Sequence, residues 1–253
     1  MIGKVLRASS LFRRQYGHLR GFLLWAELLK EKLHAHGQPF SVHVPGARAP
    51  IWLRARTSDV EAFCQIFGHV EMGFFSSSHA HYMIDAGANI GLTSVFLAMR
   101  YPDARIDALE VDSQNCALLR RNTAPYKNVH LLEKGLWSHA CKLKILNPEA
   151  EPWAYRVGPA PEGAADGIPA IGVAELLAAS GFKQVDLLKI DIEGSEIEVL
   201  NGQSGEWMGA VKTMAIELHD WMRSGCSDAL QRAVDVRRHT RHQSGEYHVI
   251  VFE

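Results

Sequence analysis

A chain of 253 residues can bury roughly 70–75% of its unfolded surface, which suits one α/β domain with an N-terminal elaboration better than two full domains. With 47% hydrophobic and 22% charged residues the composition is that of a soluble globular protein, and a formal net charge of -1 removes any overall electrostatic reason to expect a nucleic-acid partner. Four dispersed cysteines, Cys64, Cys116, Cys141 and Cys226, form no C-x-x-C pair. They fit neither a disulfide framework nor a zinc site, so the expected compartment is reducing and cytoplasmic.

The N-terminal stretch carries Lys4, Arg7, Arg13, Arg14 and Arg20 ahead of an apolar run from Gly21 to Ala26 that Glu27 interrupts. That run is too short for a signal peptide or a membrane span. Two readings of the basic segment compete: peripheral contact with an anionic membrane surface, or a plain solvated helix face. Apolar spacing through Leu19, Phe22, Leu23, Ala26, Leu29 and Leu33 predicts a helix over 16–34, stopped by Gly37 and Pro39. Short strands at Phe40–Val44 and Ile51–Arg54 follow, then a helix through Val60, Phe63 and Ile66 that Thr57, Ser58 or Asp59 can cap.

From about residue 81 strands alternate with helices. Strands are expected at 82–85, 105–110, 129–133, 185–190 and 213–218. Helices are expected through Leu92–Ala98, over 113–122, over 173–179 with Gly181 as stop, and from Glu196. Such alternation predicts a mostly parallel sheet covered on both faces. The final run 247–252 is expected to end the sheet. Residues 147–169, with five prolines and three glycines, read as a long loop. The chain thus divides at about residue 80 into an α+β extension (1–80) and an α/β domain (81–253).

Asp85-Ala-Gly87-Ala-Asn89-Ile-Gly91 stands directly between a strand and a helix. Its glycines permit a sharp turn and close approach of a ligand, and the helix start beyond suits a carboxylate. A dinucleotide turn would read G-x-G-x-x-G instead. Glu110, at the end of the next strand, can accept hydrogen bonds from the two hydroxyls of a ribose. In Asp186-Leu-Leu-Lys-Ile-Asp191-Ile-Glu193-Gly194-Ser195-Glu196, Asp191 ends a strand and should face the crevice where open α/β sheets bind ligands. Glu193 and Glu196 have the plainer alternative of compensating a helix dipole.

Together these three motifs resemble the FkbM-type methyltransferases, over roughly Arg54 to His219, including Arg54-Ala-Arg-Thr57-Ser58-Asp59 and Ala215-Ile-Glu217-Leu-His219. The resemblance implies a doubly wound, Rossmann-like class I sheet of seven strands, S-adenosylmethionine as cofactor, and O-methylation of a sugar, polysaccharide or natural product. By the same analogy Asp85, Gly87, Asn89 and Gly91 would face the methionine part of the cofactor. Glu110, with Val111 beside it, would meet the ribose, and Gly135 and Leu136, after Lys134, the adenine. Asp191 would contribute to cofactor binding as well.

Methyl transfer to a hydroxyl gains from in-line alignment and from a base. Asp191, Glu193 and His219 are the candidate catalytic residues, and histidine titrates nearest neutrality. Asp191, Glu217, His219 and Asp220 follow adjacent strands and form the kind of oxygen-rich set that suits magnesium. The expected partner is a small-molecule or carbohydrate acceptor, with Trp153, Tyr155 and Arg156 of the proline-rich loop as contacts. The run Arg237-Arg238-His-Thr-Arg241-His242 lacks interleaved aromatics and reads as a solvated helix end rather than a nucleic-acid surface. Two other classes stay open: a nicotinamide-dependent oxidoreductase, and a non-catalytic nucleoside- or carbohydrate-binding module.

Overall fold

A computed structural model of the protein describes residues 2–147, 157–161, 166–201 and 204–253. Two helices come first, α1 (Ile2–Tyr16) and α2 (His18–Leu28). The helix expected over 16–34 is therefore a helical pair. The chain turns at Gly17, whose φ of 82° only glycine adopts without strain, and α2 gives way to a 3-10 segment over Leu29–Leu33. The buried side of α2 is Gly21, Leu24 and Leu28, whereas Leu19, Phe22 and Leu23 face out. Close crossing is the reason: a Cβ on Gly21 would lie 2.3 Å from the Phe12 carbonyl oxygen.

Strands β1 (Pro39–Val42) and β2 (Ile51–Arg54) pair antiparallel, followed by α3 (Asp59–Phe63) and a π-turn over Cys64–His69. Asp59 does not cap α3 with its own side chain. It is fully buried and takes a two-pronged contact from the Arg54 guanidinium, at 2.8 Å from both Nε and Nη2. The same guanidinium reaches Asn115 Oδ1 at 2.8 Å. Asn122 bonds both backbone groups of Trp52 and the carbonyl of Ile90, so β2 is laced to the turn that follows the next strand.

The α/β part then runs β3 (Tyr82–Ala86), α4 (Leu92–Arg100), β4 (Arg105–Leu109), α5 (Ser113–Thr123) and β5 (Val129–Leu132). After a small second sheet come α6 (Val173–Ser180), β10 (Leu187–Ile190), α7 (Glu196–Asn201), α8 (Ser204–Trp207), β11 (Thr213–Ile216), α9 (Cys226–Val234), β12 (His239–Ser244) and β13 (Tyr247–Phe252). Asp112 caps α5, accepting from Gln114 and Asn115 N–H, and Gly181 closes α6 at φ 78°, the stop that the sequence predicts.

The main sheet has seven strands in the order β12-β13-β11-β10-β3-β4-β5. Strands β11, β10, β3, β4 and β5 are mutually parallel; β13 is antiparallel to both of its neighbours. This is the expected doubly wound, mostly parallel, Rossmann-like sheet. Every residue of β3, β10 and β11 is buried, as strands covered on both faces require. One cover unites α4 with Phe12, Leu24 and Leu28 of the first two helices, so the N-terminal elements share a core with the sheet. The other is built from α6 to α9.

Two expectations are corrected at the end of the chain. Residues 247–252 lie inside the sheet, and the run from Arg237 to His242 mostly forms its edge strand β12 rather than a helix end. Its short polar alternation carries the solvent-facing character of an edge, which one-sided charge counting does not distinguish from a helix terminus.

The proline-rich stretch is also more ordered than a loop where it is described. The second sheet is β6 (Gly135–Leu136), β7 (Cys141–Ile145), β8 (Val157–Pro159) and β9 (Ile168–Ile171), in the order β6-β9-β7-β8. Pro159 lies on its edge strand; Pro169 precedes the two residues, Ala170 and Ile171, that pair with β6. Trp153, Tyr155 and Arg156, expected as acceptor contacts, lie outside the described residues.

Replacing Asp59 by alanine should leave the Arg54 guanidinium without its carboxylate, with only Asn115 to meet it, in a largely buried site. The expected loss is about 3–5 kcal/mol of unfolding free energy, read from urea denaturation.

Candidate active site

The strand order reverses between β3 and β10, and crevices at such switch points are where open α/β sheets take ligands. The glycine turn and Asp191 lie at the C-terminal ends of these two strands, flanked by Glu110 after β4 and by Glu217 and His219 after β11. The turn after β3 is shaped by contact with β10. Gly87 has φ 73°, and a Cβ there would sit 1.7 Å from the Asp191 carbonyl oxygen, so no other residue fits. Gly91 (φ 85°) heads α4, and Asn89 adopts φ 50°, a left-handed conformation asparagine tolerates better than most.

Glycine at 87 thus accommodates protein backbone, where the sequence reading had foreseen room for a ligand. The turn N–H groups are engaged too: Gly87 and Ala88 both donate to Leu109 O, and Asn89 donates to Glu110 Oε2 at 2.8 Å. Asn89 Oδ1, by contrast, is buried with no hydrogen-bond partner among the described residues.

Asp85 lies beneath the turn rather than in the pocket. It is fully buried, accepts a 2.6 Å hydrogen bond from Ser94 Oγ, and stands 3.3 Å from Lys189 Nζ. Lys189 is the hub. Its ammonium donates to Gly87 O at 2.7 Å and Ala86 O at 3.3 Å, and lies 3.4 Å from Asp191 Oδ2. Burial alone would drive its pKa down, but the flanking Asp85 and Asp191 carboxylates raise it, so it stays charged. A lysine inside an otherwise apolar central strand was the available signal.

Glu110 is buried and accepts from three backbone N–H groups, those of Asn89, Val111 and Asp112, each at 2.8 Å. Desolvation raises its pKa while those bonds oppose the shift. Val111 is 44% exposed at the rim, and a Cβ on Gly135 would lie 3.6 Å from its side chain. Leu136 is buried in the core beneath the sheet's second face, away from the pocket.

On the other side of the crevice the acids and His219 converge. His219 is buried, with Nδ1 2.7 Å from Glu196 Oε1. Its Nε2 faces Glu193 Oε2 at 3.4 Å, Glu217 Oε1 at 3.6 Å and Asp191 Oδ1 at 3.8 Å. Glu196 is therefore a buried histidine partner, beyond the dipole compensation that its place on a helix start suggests. Although burial disfavours the imidazolium, the Glu196 hydrogen bond and the surrounding carboxylates push the His219 pKa up to about 9. Desolvation and like charges push Glu193 and Glu217 up to about 7. Asp220 stands apart: it accepts from Gly225 and Ser227 at the start of α9. Among the described residues, Asp191, Glu217 and His219 bring ligand atoms within 4.8 Å of one another.

Between the glycine turn and the Asp191–Glu217 pair lies an open pocket, bordered by Gly87 to Ile90, Thr93, Lys189, Asp191 and Glu217. Its outer wall comes from distant sequence. Gln65 and Glu71 belong to the N-terminal elements, Glu246 and Tyr247 to the β12–β13 hairpin, and Gln65 Nε2 donates to Glu246 at 2.9 Å. The Tyr247 hydroxyl is 3.4 Å from Asp191 Oδ2. Burial, with Glu246 and Asp191 nearby, raises Glu71 to about 7 as well. No local motif marks these four residues; only the fold assembles them.

Each of these groups has a folded pKa above its unfolded value. The stabilising contribution of Glu71, Glu193 and Glu217 is complete below pH 4.5 and lost as pH rises through about 7. That of His219 is complete below 6.5 and lost through about 9. Urea denaturation of the unliganded protein should show stability falling across both windows. His219→Gln should flatten the upper one, which is worth about 3 kcal/mol.

Comparison with known proteins adds a separate line of observation. The sequence profile of the Methyltransferase FkbM domain matches residues 85–239. Methyltransferase sdnD of Sordaria araneosa is 29% identical over 187 residues, covering 61% of this chain and 71% of that protein. Methyltransferase 1 of Beauveria bassiana (strain ARSEF 2860) is 24% identical over 166 residues, covering 55% and 65%. The crystal structure of Methyltransferase FkbM from Methylobacillus flagellatus KT superposes with a TM-score of 0.49 at 15% identity. That alignment covers 98% of this chain but 59% of the bacterial one, so the chain spans about three fifths of its length.

Proposed function

This chain belongs to the FkbM methyltransferase family, and we propose that it uses S-adenosylmethionine to methylate a hydroxyl of a sugar, polysaccharide or natural product. The observation that carries the reading is one crevice with a nucleoside-type clamp on one side and a cluster of titratable acids around an imidazole on the other. Two features of the clamp suit the cofactor. The orphaned Asn89 Oδ1 is an acceptor that the α-ammonium of a methionine tail would satisfy. Glu110 uses three of its roughly four acceptor positions on backbone N–H groups, which leaves one for a ribose hydroxyl. When bound, the cofactor supplies a methyl group attached to an electron-poor sulfonium.

The chain's own groups must orient the acceptor and take its proton. Of the three candidate bases, Glu193 suits the task best. Its side chain is 40% exposed, and a pKa near 7 matches the operating range of a general base. His219 carries its proton at neutral pH, so its part is to hold Glu193 and Asp191 in place as an imidazolium. Asp191, fixed by Lys189 and Tyr247, lines the pocket between the two sides. The carboxylates also make the crevice negative, which favours a cationic cofactor.

A second reading, magnesium-assisted transfer, is favoured by the convergence of Asp191, Glu217 and His219. It is the weaker one, because a metal would have to displace the imidazolium proton and compete with Lys189 for Asp191.

Calorimetric titration with S-adenosylmethionine, and separately with NAD(H), tests the cofactor. Micromolar affinity for the former is expected, weakened on the order of 10- to 100-fold by Glu110→Ala as its ribose contacts are lost. Folded protein that ignores S-adenosylmethionine, or prefers NAD(H), overturns the reading in favour of a binding module or an oxidoreductase.

With an acceptor found by screening hydroxylated sugars and lipids, Glu193→Gln should lower kcat by on the order of 10²–10⁴ with cofactor affinity unchanged. A variant that turns over normally removes Glu193 as the base. Activity that survives exhaustive chelation removes the metal.

A further inference from the structure

α2 is apolar on two opposite sides. Gly21, Leu24 and Leu28 face the core, while Leu19, Phe22 and Leu23 are 72%, 40% and 54% exposed. At 3.6 residues per turn, Leu19, Phe22, Leu23 and Ala26 fall within an arc of roughly 100°, directly opposite the buried side. A surface helix normally keeps that arc polar.

The surroundings of this stripe are basic. Residues 1–34 hold seven Lys and Arg (Lys4, Arg7, Arg13, Arg14, Arg20, Lys30, Lys32) and two acids (Glu27, Glu31), a net +5 in a chain whose total is -1, leaving -6 for the rest. Glu31 is buried, and Glu27 accepts from the His43 N–H at 2.6 Å and pairs with Lys30 at 3.9 Å, so the basic charge beside the stripe rests on the arginines. Arg13, Arg14 and Arg20 are exposed, and the Arg13 guanidinium sits over the Phe22 ring at 5.3 Å.

We propose that this outer face of the α1–α2 pair docks the protein on an anionic membrane surface, with Leu19, Phe22 and Leu23 entering the headgroup–acyl boundary and the arginines on the phosphates. An anionic bilayer satisfies both halves of the patch, since apolar burial and headgroup attraction add. A second copy of the chain satisfies only one, because a two-fold contact would set like charge against like. A nucleic acid leaves the leucines without a partner. No helix among the described residues is long and apolar enough to cross a membrane, so the contact is peripheral.

The docking face is mechanically close to the catalytic pocket. Phe12 of α1 packs on Phe63 and against Gly68, and the same segment offers Ala62, Gln65 and Ile66 to the pocket wall.

The test is flotation of the full chain with vesicles of equal parts phosphatidylcholine and phosphatidylserine, beside vesicles of phosphatidylcholine alone. The expected result is flotation with the anionic vesicles only, abolished by salt that screens the arginines. The double variant Leu19→Ser/Leu23→Ser should keep the parent's circular dichroism and Tm, since both side chains point to solvent, and bind at least tenfold more weakly. The proposal is overturned by failure to float with anionic vesicles, by equal binding to neutral ones, or by flotation indifferent to the double variant. Sedimentation showing self-association that the double variant removes would overturn it in favour of a second copy.

Discussion

A single buried ammonium organises this protein's crevice. Stripping Lys189 of water is costly, and the site offsets that cost with two backbone carbonyls and two carboxylates at 2.7–3.4 Å. Because those partners come from the end of β3, the turn after it and the end of β10, satisfying one charge fixes three pieces of chain. The missing Cβ of Gly87 is the steric counterpart: the two backbones can close on the lysine only if nothing projects where the Asp191 carbonyl lies. Asp85 serves this arrangement from below, so its influence on any ligand passes through Lys189.

Around that hub the charges do not balance. Asp191, Glu193, Glu196 and Glu217 surround His219, and Glu71 and Glu246 close the outer wall, against Lys189 and the imidazolium. Raised carboxyl pKa values and a raised histidine pKa are the expected response, since each proton retained relieves repulsion. A crevice in that state gains from taking in positive charge. It also supplies proton acceptors near neutrality beside the nucleoside clamp, which is what removal of a hydroxyl proton needs.

The strand pattern, the glycine turn and the two acid motifs were readable because each rests on local rules: burial on both faces of parallel strands, turn geometry, and residues placed where strands end. Gly181 as the stop of α6 followed from the same rules. Local rules misled where two environments look alike in a short window. Leu19, Phe22, Leu23 and Leu33 have helical spacing, yet the core side of α2 is chosen by the glycine that lets α1 approach. The run from Arg237 to His242 is polar whether it ends a helix or edges a sheet. Lys189 was visible as an exception to an apolar strand, but its meaning depended on Asp85, about a hundred residues away, pairing alongside it in register.

What the amino-acid order determined by itself is the alternation of strands and helices over residues 82–132 and 173–218, the position of the turn, and the identity of the acids at the strand ends. All of these follow from side-chain periodicity and backbone preference over a few residues. Tertiary structure alone decided which acid pairs with His219, that His219 is charged, and that Asp85 lies beneath the pocket. It also decided that Gln65, Glu71, Glu246 and Tyr247 complete the pocket wall. Those outcomes depend on desolvation and on distances between groups far apart in the chain, and both exist only once the sheet has closed and its covers are in place.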